Sequence, residues 1–140
     1  RVVIAGTDDK FLDPTGTSFE RLSQVTFSAD QQLSEHVGVF LRIGWQDDDA
    51  AVTYTSTVSG GLNVGGGLWG RSGDTVGVGL AHLDGGNNGI DESQVAEIYY
   101  RLTINDHLAI TADAQFLRDR IAGGGKTEGT VIGLRATKEF

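Results

Sequence analysis

The chain has 140 residues, with 21 glycines, a single proline, no cysteine and a formal net charge of −8. That acidity, with no basic stripe to replace phosphate counterions, excludes a nucleic-acid partner, and the lack of cysteine excludes disulfides, thiolate catalysis and thiolate metal sites. No apolar run approaches the roughly 18 residues of a membrane helix, but a membrane β-strand needs only about 9–11 residues with one apolar face.

Alternation with a period of two runs through the chain. "VVIAG" (2–6) predicts a short first strand, and residues 7–20 read as a connection. In 21–33, Val25, Phe27 and Ala29 oppose Gln24, Thr26, Ser28 and Asp30. "SEH" (34–36) is a tight polar turn, followed by Val37, Val39, Leu41, Ile43 and Trp45 opposite Gly38, Phe40, Arg42 and Gly44. After "DDDAA" (47–51), Val52, Tyr54, Val58, Leu62 and Val64 oppose Thr53, Thr55, Thr57, Ser59 and Asn63. A Gly-rich connection (65–73) leads to Val76, Val78 and Leu80 opposite Thr75, Gly77, Gly79 and Ala81.

Beyond the connection 84–92, Ala96, Ile98, Tyr100, Leu102 and Ile104 oppose Glu97, Tyr99, Arg101 and Thr103. "NDH" (105–107) turns the chain into Leu108, Ile110, Ala112, Ala114 and Phe116 opposite Thr111, Asp113 and Gln115. Residues 122–129 connect to the last run, where Ile132, Leu134, Ala136 and Phe140 oppose Gly133, Arg135, Thr137 and Glu139. The fold class is therefore all-β, an antiparallel meander of about eight strands in one unit, 1–140.

Such alternation suits a soluble barrel, apolar inside, or a membrane barrel, apolar outside. The polar faces favour the second. They are rich in Gly, Thr, Ser and Gln and carry single charges, whereas a soluble β surface carries many Lys and Glu. Aromatics near strand ends (Trp45, Tyr54, Tyr100, Phe116 and Phe140) match the girdles of outer-membrane barrels. The histidines His36, His82 and His107 lack metal or nucleophile spacing, and the acidic stretches 8–13 and 47–49 read as solvated loops.

A longer pattern carries a family likeness. It comprises Gly70-Arg71 with Asp74, then Val76, Gly77, Gly79 and Ala81; Glu97 with Tyr99, Tyr100 and Arg101; Asp113 with Gln115 and Phe116; and Gly133, Leu134, Arg135, Glu139 and Phe140. Over residues 20–140 this resembles the C-terminal part of the carbohydrate-selective porins of OprB type. The resemblance implies a transmembrane outer-membrane β-barrel of a Gram-negative bacterium, with this chain as the C-terminal half of about sixteen strands. It implies passive diffusion of carbohydrates and similar small polar solutes, with no enzymatic activity, cofactor or metal.

A small eight-stranded structural or adhesive barrel is the alternative. With the termini at the periplasm, turns 34–36, 65–73 and 105–107 would be inner, and 7–20, 47–51, 84–92 and 122–129 would be longer outer loops. Phe40, Arg42, Glu97, Tyr99, Arg101, Asp113, Gln115 and Arg135 are the expected pore-lining residues, offering stacking faces and hydrogen bonds to sugar. Ile132, Leu134, Ala136 and Phe140 resemble the signal read by the barrel-assembly machinery. Expected partners are outer-membrane lipid and lipopolysaccharide, small sugars, and either a second copy or the remaining barrel strands.

Overall fold

A computed structural model describes residues 1–138, apart from the side chains of Asp8 and Asp9. Eight strands follow one another: β1 Val2–Leu12, β2 Phe19–Gln32, β3 Val37–Gln46, β4 Tyr54–Gly65, β5 Thr75–Gly85, β6 Ile90–Asn105, β7 Leu108–Ile121 and β8 Gly125–Lys138. Each pairs antiparallel with its neighbours in sequence, so one sheet runs β1 to β8 as a meander. Directly opposed residues lie on one face, and the registers chain the strands into rows. One apolar row is Val39–Leu62–Val78–Ile98–Ala114–Ile132. The expected all-β meander is what forms, but the sheet is open: among the described residues β1 pairs with β2 alone and β8 with β7 alone.

Burial runs opposite to that of a water-soluble domain. Leu80 is 69%, Ile132 82% and Leu134 79% exposed on the apolar face. Across the sheet, Phe40, Glu97, Tyr99, Asp113 and Gln115 are half-buried. Among the described residues the only buried hydrophobics are Ala50, Val52 and Ala109.

The connections expected to be outer are shorter than the sequence suggests. Pairing resumes after a bulge in β1 as Phe11↔Glu20 and Leu12↔Phe19, leaving only 13–18 as a turn. There the Asp13 carboxylate accepts from the N–H groups of Thr17 (2.6 Å) and Ser18 (3.0 Å). The Ser18 N–H, then the Thr15 hydroxyl, hold this carboxyl well below the usual carboxylate range. At the β7–β8 tip, Gly123 (φ 89°) and Gly124 (φ 105°) reverse the chain within 122–124. Segment 84–92 likewise shrinks to 86–89. The predicted contrast of short inner turns and long outer loops is therefore absent, since the longest connection is 66–74, on the end expected to be inner.

Val52, placed by its alternation in a strand, lies instead in the connection 47–53. Its N–H donates to Asn87 Oδ1 (2.9 Å), and Asn87 Nδ2 donates to the carbonyls of Asp48 (2.7 Å) and Ala50 (2.9 Å). One amide thus ties connections 47–53 and 86–89 together and accounts for the burial of Ala50 and Val52.

Candidate functional site

The polar face brings the expected pore residues into adjoining rows. The central row is Asp30–Phe40–Gly61–Gly79–Glu97–Gln115. Next to it lies Gly38–Asn63–Gly77–Tyr99–Asp113–Gly133, and then Thr75–Arg101–Thr111–Arg135. Arg42 sits on the other side, opposite Ser28 and Ser59.

Two aromatic rings lean toward one another across the glycines of β4 and β5. The Phe40 ring covers Gly61, where an added Cβ would stand 2.6 Å from Cε1, and reaches toward Gly79. From the other side Tyr99 covers Gly77, where a Cβ would stand 2.2 Å from the ring. The Tyr99 hydroxyl donates to Asn63 Oδ1 (2.7 Å), which fixes the ring. Glycine is required here because any side chain would occupy the ring's place. Asn63 and this glycine floor escaped the sequence reading. Their signal was the glycine alternation of β5, which the sequence places on the polar face and in the family pattern without assigning it a partner ring.

Charges are distributed unevenly around the rings. The Arg42 guanidinium lies 4.7 Å from the Phe40 ring centroid and 3.4 Å from Asp30 Oδ1. Glu97 accepts from Gln115 Nε2 at 3.5 Å, and Arg101 donates to Thr103 Oγ1 at 3.2 Å. Glu97 and Arg101, four apart on β6, do not pair. Among the described residues Glu97, Arg101, Asp113 and Arg135 make no ion pair, so their hydrogen-bonding capacity stays largely open.

Connection 66–74 is built around one buried carboxylate. A 3-10 turn, Gly66–Trp69, closes at Gly70 in left-handed conformation (φ 78°). Asp74 follows, only 2% exposed. It accepts from Arg71 Nε (2.5 Å) and Nη2 (3.3 Å), from the Tyr100 hydroxyl (2.5 Å) and from the Thr103 N–H (2.9 Å). The Arg71 hydrogen bond, followed by those of Tyr100 and Thr103, holds the Asp74 carboxyl well below the usual carboxylate range. Trp69 packs beside Tyr100, with ring centroids 6.4 Å apart.

These are the positions of the Gly-Arg-x-x-Asp turn, the glycine strand and the Tyr-Tyr-Arg strand on which the family likeness rests. The family model "Carbohydrate-selective porin, OprB family" matches residues 13–140. The chain belongs to the OprB family. Its all-β sheet agrees with that family's porin architecture, and the family is one of outer-membrane channels for carbohydrates rather than of enzymes. Comparison with curated proteins and with solved structures finds no match.

Within this OprB-family chain the residues of the suggested insertion signal divide. Ile132, Leu134 and Ala136 share the apolar face of β8, while Phe140 lies outside the described residues.

Proposed function

We propose that this chain forms wall of an outer-membrane channel for passive diffusion of neutral sugars and similar small polar solutes. The polar face turns to the lumen and the apolar face to lipid. One observation carries the reading: the large apolar side chains are the exposed ones, Phe40, Glu97, Tyr99, Asp113 and Gln115 in the middle of the polar face are half-buried, and the buried hydrophobics number only three among the described residues. In water such a surface aggregates; in a bilayer it is solvated. The apolar positions Leu108 to Phe116 of β7 span about 27 Å along the strand. Tilted as barrel strands are, that approaches the apolar band of about 25 Å.

In this reading Phe40 and Tyr99 offer ring faces to a passing sugar. Arg42, Arg101, Arg135 and Gln115 donate to its hydroxyls, and Glu97 and Asp113 accept from them. Hydrogen bonds shared with water on both sides keep each stop weak enough for release. The open edges at β1 and β8 call for further strands, from the same polypeptide or a second copy. About sixteen strands leave an aqueous lumen, whereas eight would be filled by side chains. Sheet edges that fail to meet give no support to a closed eight-stranded adhesin. The β8 face with Phe140 is the segment proposed for the barrel-assembly machinery, and lipopolysaccharide would surround the apolar face.

Liposomes carrying the protein isolated from outer membranes are expected to swell in isosmotic monosaccharide, and more slowly as the sugar grows. Swelling no faster than protein-free liposomes with every neutral sugar, from protein that is folded, would overturn the proposal.

A further inference from the structure

Both rings of the polar face are laid against the wall rather than raised from it, and each is held there differently. Phe40 starts on β3, crosses Gly61 on β4, and its Cζ ends 3.8 Å from the place of a Cβ on Gly79. The Arg42 guanidinium lies over it, 4.7 Å from the ring centroid. Tyr99 runs the other way, from β6 across Gly77 on β5 to Asn63 on β4. A Cβ on Gly77 would meet Cε1 and Cζ of that ring and stand 2.7 Å from Asn63 Oδ1. The Tyr99–Asn63 hydrogen bond (2.7 Å) therefore passes directly above a glycine backbone, and it joins strands two spacings of about 4.8 Å apart.

This hydrogen bond is the only one the Tyr99 hydroxyl makes among the described residues. Asn63 stands between Gly38 and Gly77, its directly opposed neighbours on β3 and β5. Neither has a side chain, and on the β5 side the space beside the amide is filled by the Tyr99 ring. A half-buried tyrosine hydroxyl needs a partner. Without the amide it has to turn to water, which in a channel lies on the lumen side.

From this geometry we propose that Asn63 is a positioning residue that sets the width of the channel at this level. By accepting the Tyr99 hydroxyl it keeps the ring flat over Gly77. Without that acceptor the ring rises about its Cα–Cβ bond into the lumen, where its hydroxyl reaches water. The passage then narrows most for sugars larger than a single ring. The inference rests on the reading of the polar face as a sugar channel, and adds to it the size of sugar that passes.

The test compares influx of glucose and of the disaccharide maltose into liposomes carrying the protein isolated from outer membranes. Asn63→Leu has nearly the shape of the amide but denies the hydroxyl both that acceptor and a water in its place. One hydrogen bond between uncharged groups biases the ring toward the wall by about fivefold, so the maltose-to-glucose ratio is expected to fall several-fold. Asn63→Asp keeps the acceptor oxygen and should restore the ratio. In a Tyr99→Phe background, where no hydroxyl is left to hold, adding Asn63→Leu should leave the ratio unchanged. Gly77→Ala, whose Cβ takes the place of the ring, should lower the ratio by another route and decides the matter if Asn63→Leu fails to fold. A wild-type ratio in folded Asn63→Leu or Gly77→Ala, or an undiminished effect of Asn63→Leu in the Tyr99→Phe background, would overturn the role of Asn63 while leaving the channel standing. No influx of either sugar with folded wild-type protein would remove the channel and this inference with it.

Discussion

Asp74→Ala is expected to shift the unfolding equilibrium toward the unfolded chain by about ten- to a hundredfold, the usual effect of removing a buried acceptor from its donors while half-exposed Arg71 returns to solvent. The carboxylate is the shared acceptor of Arg71, Tyr100 and the Thr103 N–H, so its loss strands three donors on two elements. The tight approach of Gly66 to the Arg71 carbonyl, where a Cβ would stand 2.0 Å away, depends on the same closure. The sign with pH follows from the depressed carboxyl. Its contribution is complete above the ordinary value of 3.8 and is lost as pH falls from there through the lower native value. Urea unfolding of the protein in detergent, with Asp74→Asn alongside, should therefore show a gap between wild type and variant that is constant from pH 7 to about 5 and narrows below about 4. A gap that persists unchanged in acid would mean that ionised Asp74 is not what locks the turn.

Removing both rings, Phe40→Ala with Tyr99→Ala, is expected to raise the sugar concentration that half-blocks ion current through the channel by about tenfold. An aromatic contact contributes about 0.5–1.5 kcal/mol, and two of them together, about 1–3 kcal/mol, bracket the roughly 1.4 kcal/mol of one decade. Ion conductance itself should rise, because the glycine floor beneath the rings opens to water. If the half-blocking concentration holds while conductance rises, the rings only cover Gly61 and Gly77 and do not meet the sugar.

Periodicity made the strands legible because one sheet face is apolar and the other polar over most of its height. It placed Phe40, Glu97, Tyr99, Asp113 and Gln115 correctly on one face. It failed at the strand ends that meet at 86–89 and 122–124, where β5 to β8 continue past their apolar positions. Asp84, Glu92, Arg120 and Lys126 occupy apolar-face positions there, so alternation vanishes while pairing persists. A run of glycine, lysine and glutamate reads as a loop until its partner strand is known. Val52 misled for the reverse reason, an alternating apolar residue buried by Asn87 rather than by a strand. The Phe40 and Tyr99 arrangement needed the register, because each ring covers a glycine on another strand and nothing within its own strand announces it.

The claim that one face meets water and the other lipid is tested most directly with single cysteines, which the chain's lack of native cysteine makes unambiguous. Cysteines at Glu97, Asp113 and Gln115 are compared with cysteines at Ile98, Ala114 and Phe116, the protein being embedded in lipid vesicles. A charged, membrane-impermeant thiol reagent should label the first set, more slowly in the presence of a sugar that swells liposomes, and leave the second set unreacted. Equal labelling of both sets, or labelling of Ile98, Ala114 and Phe116 alone, would contradict the account.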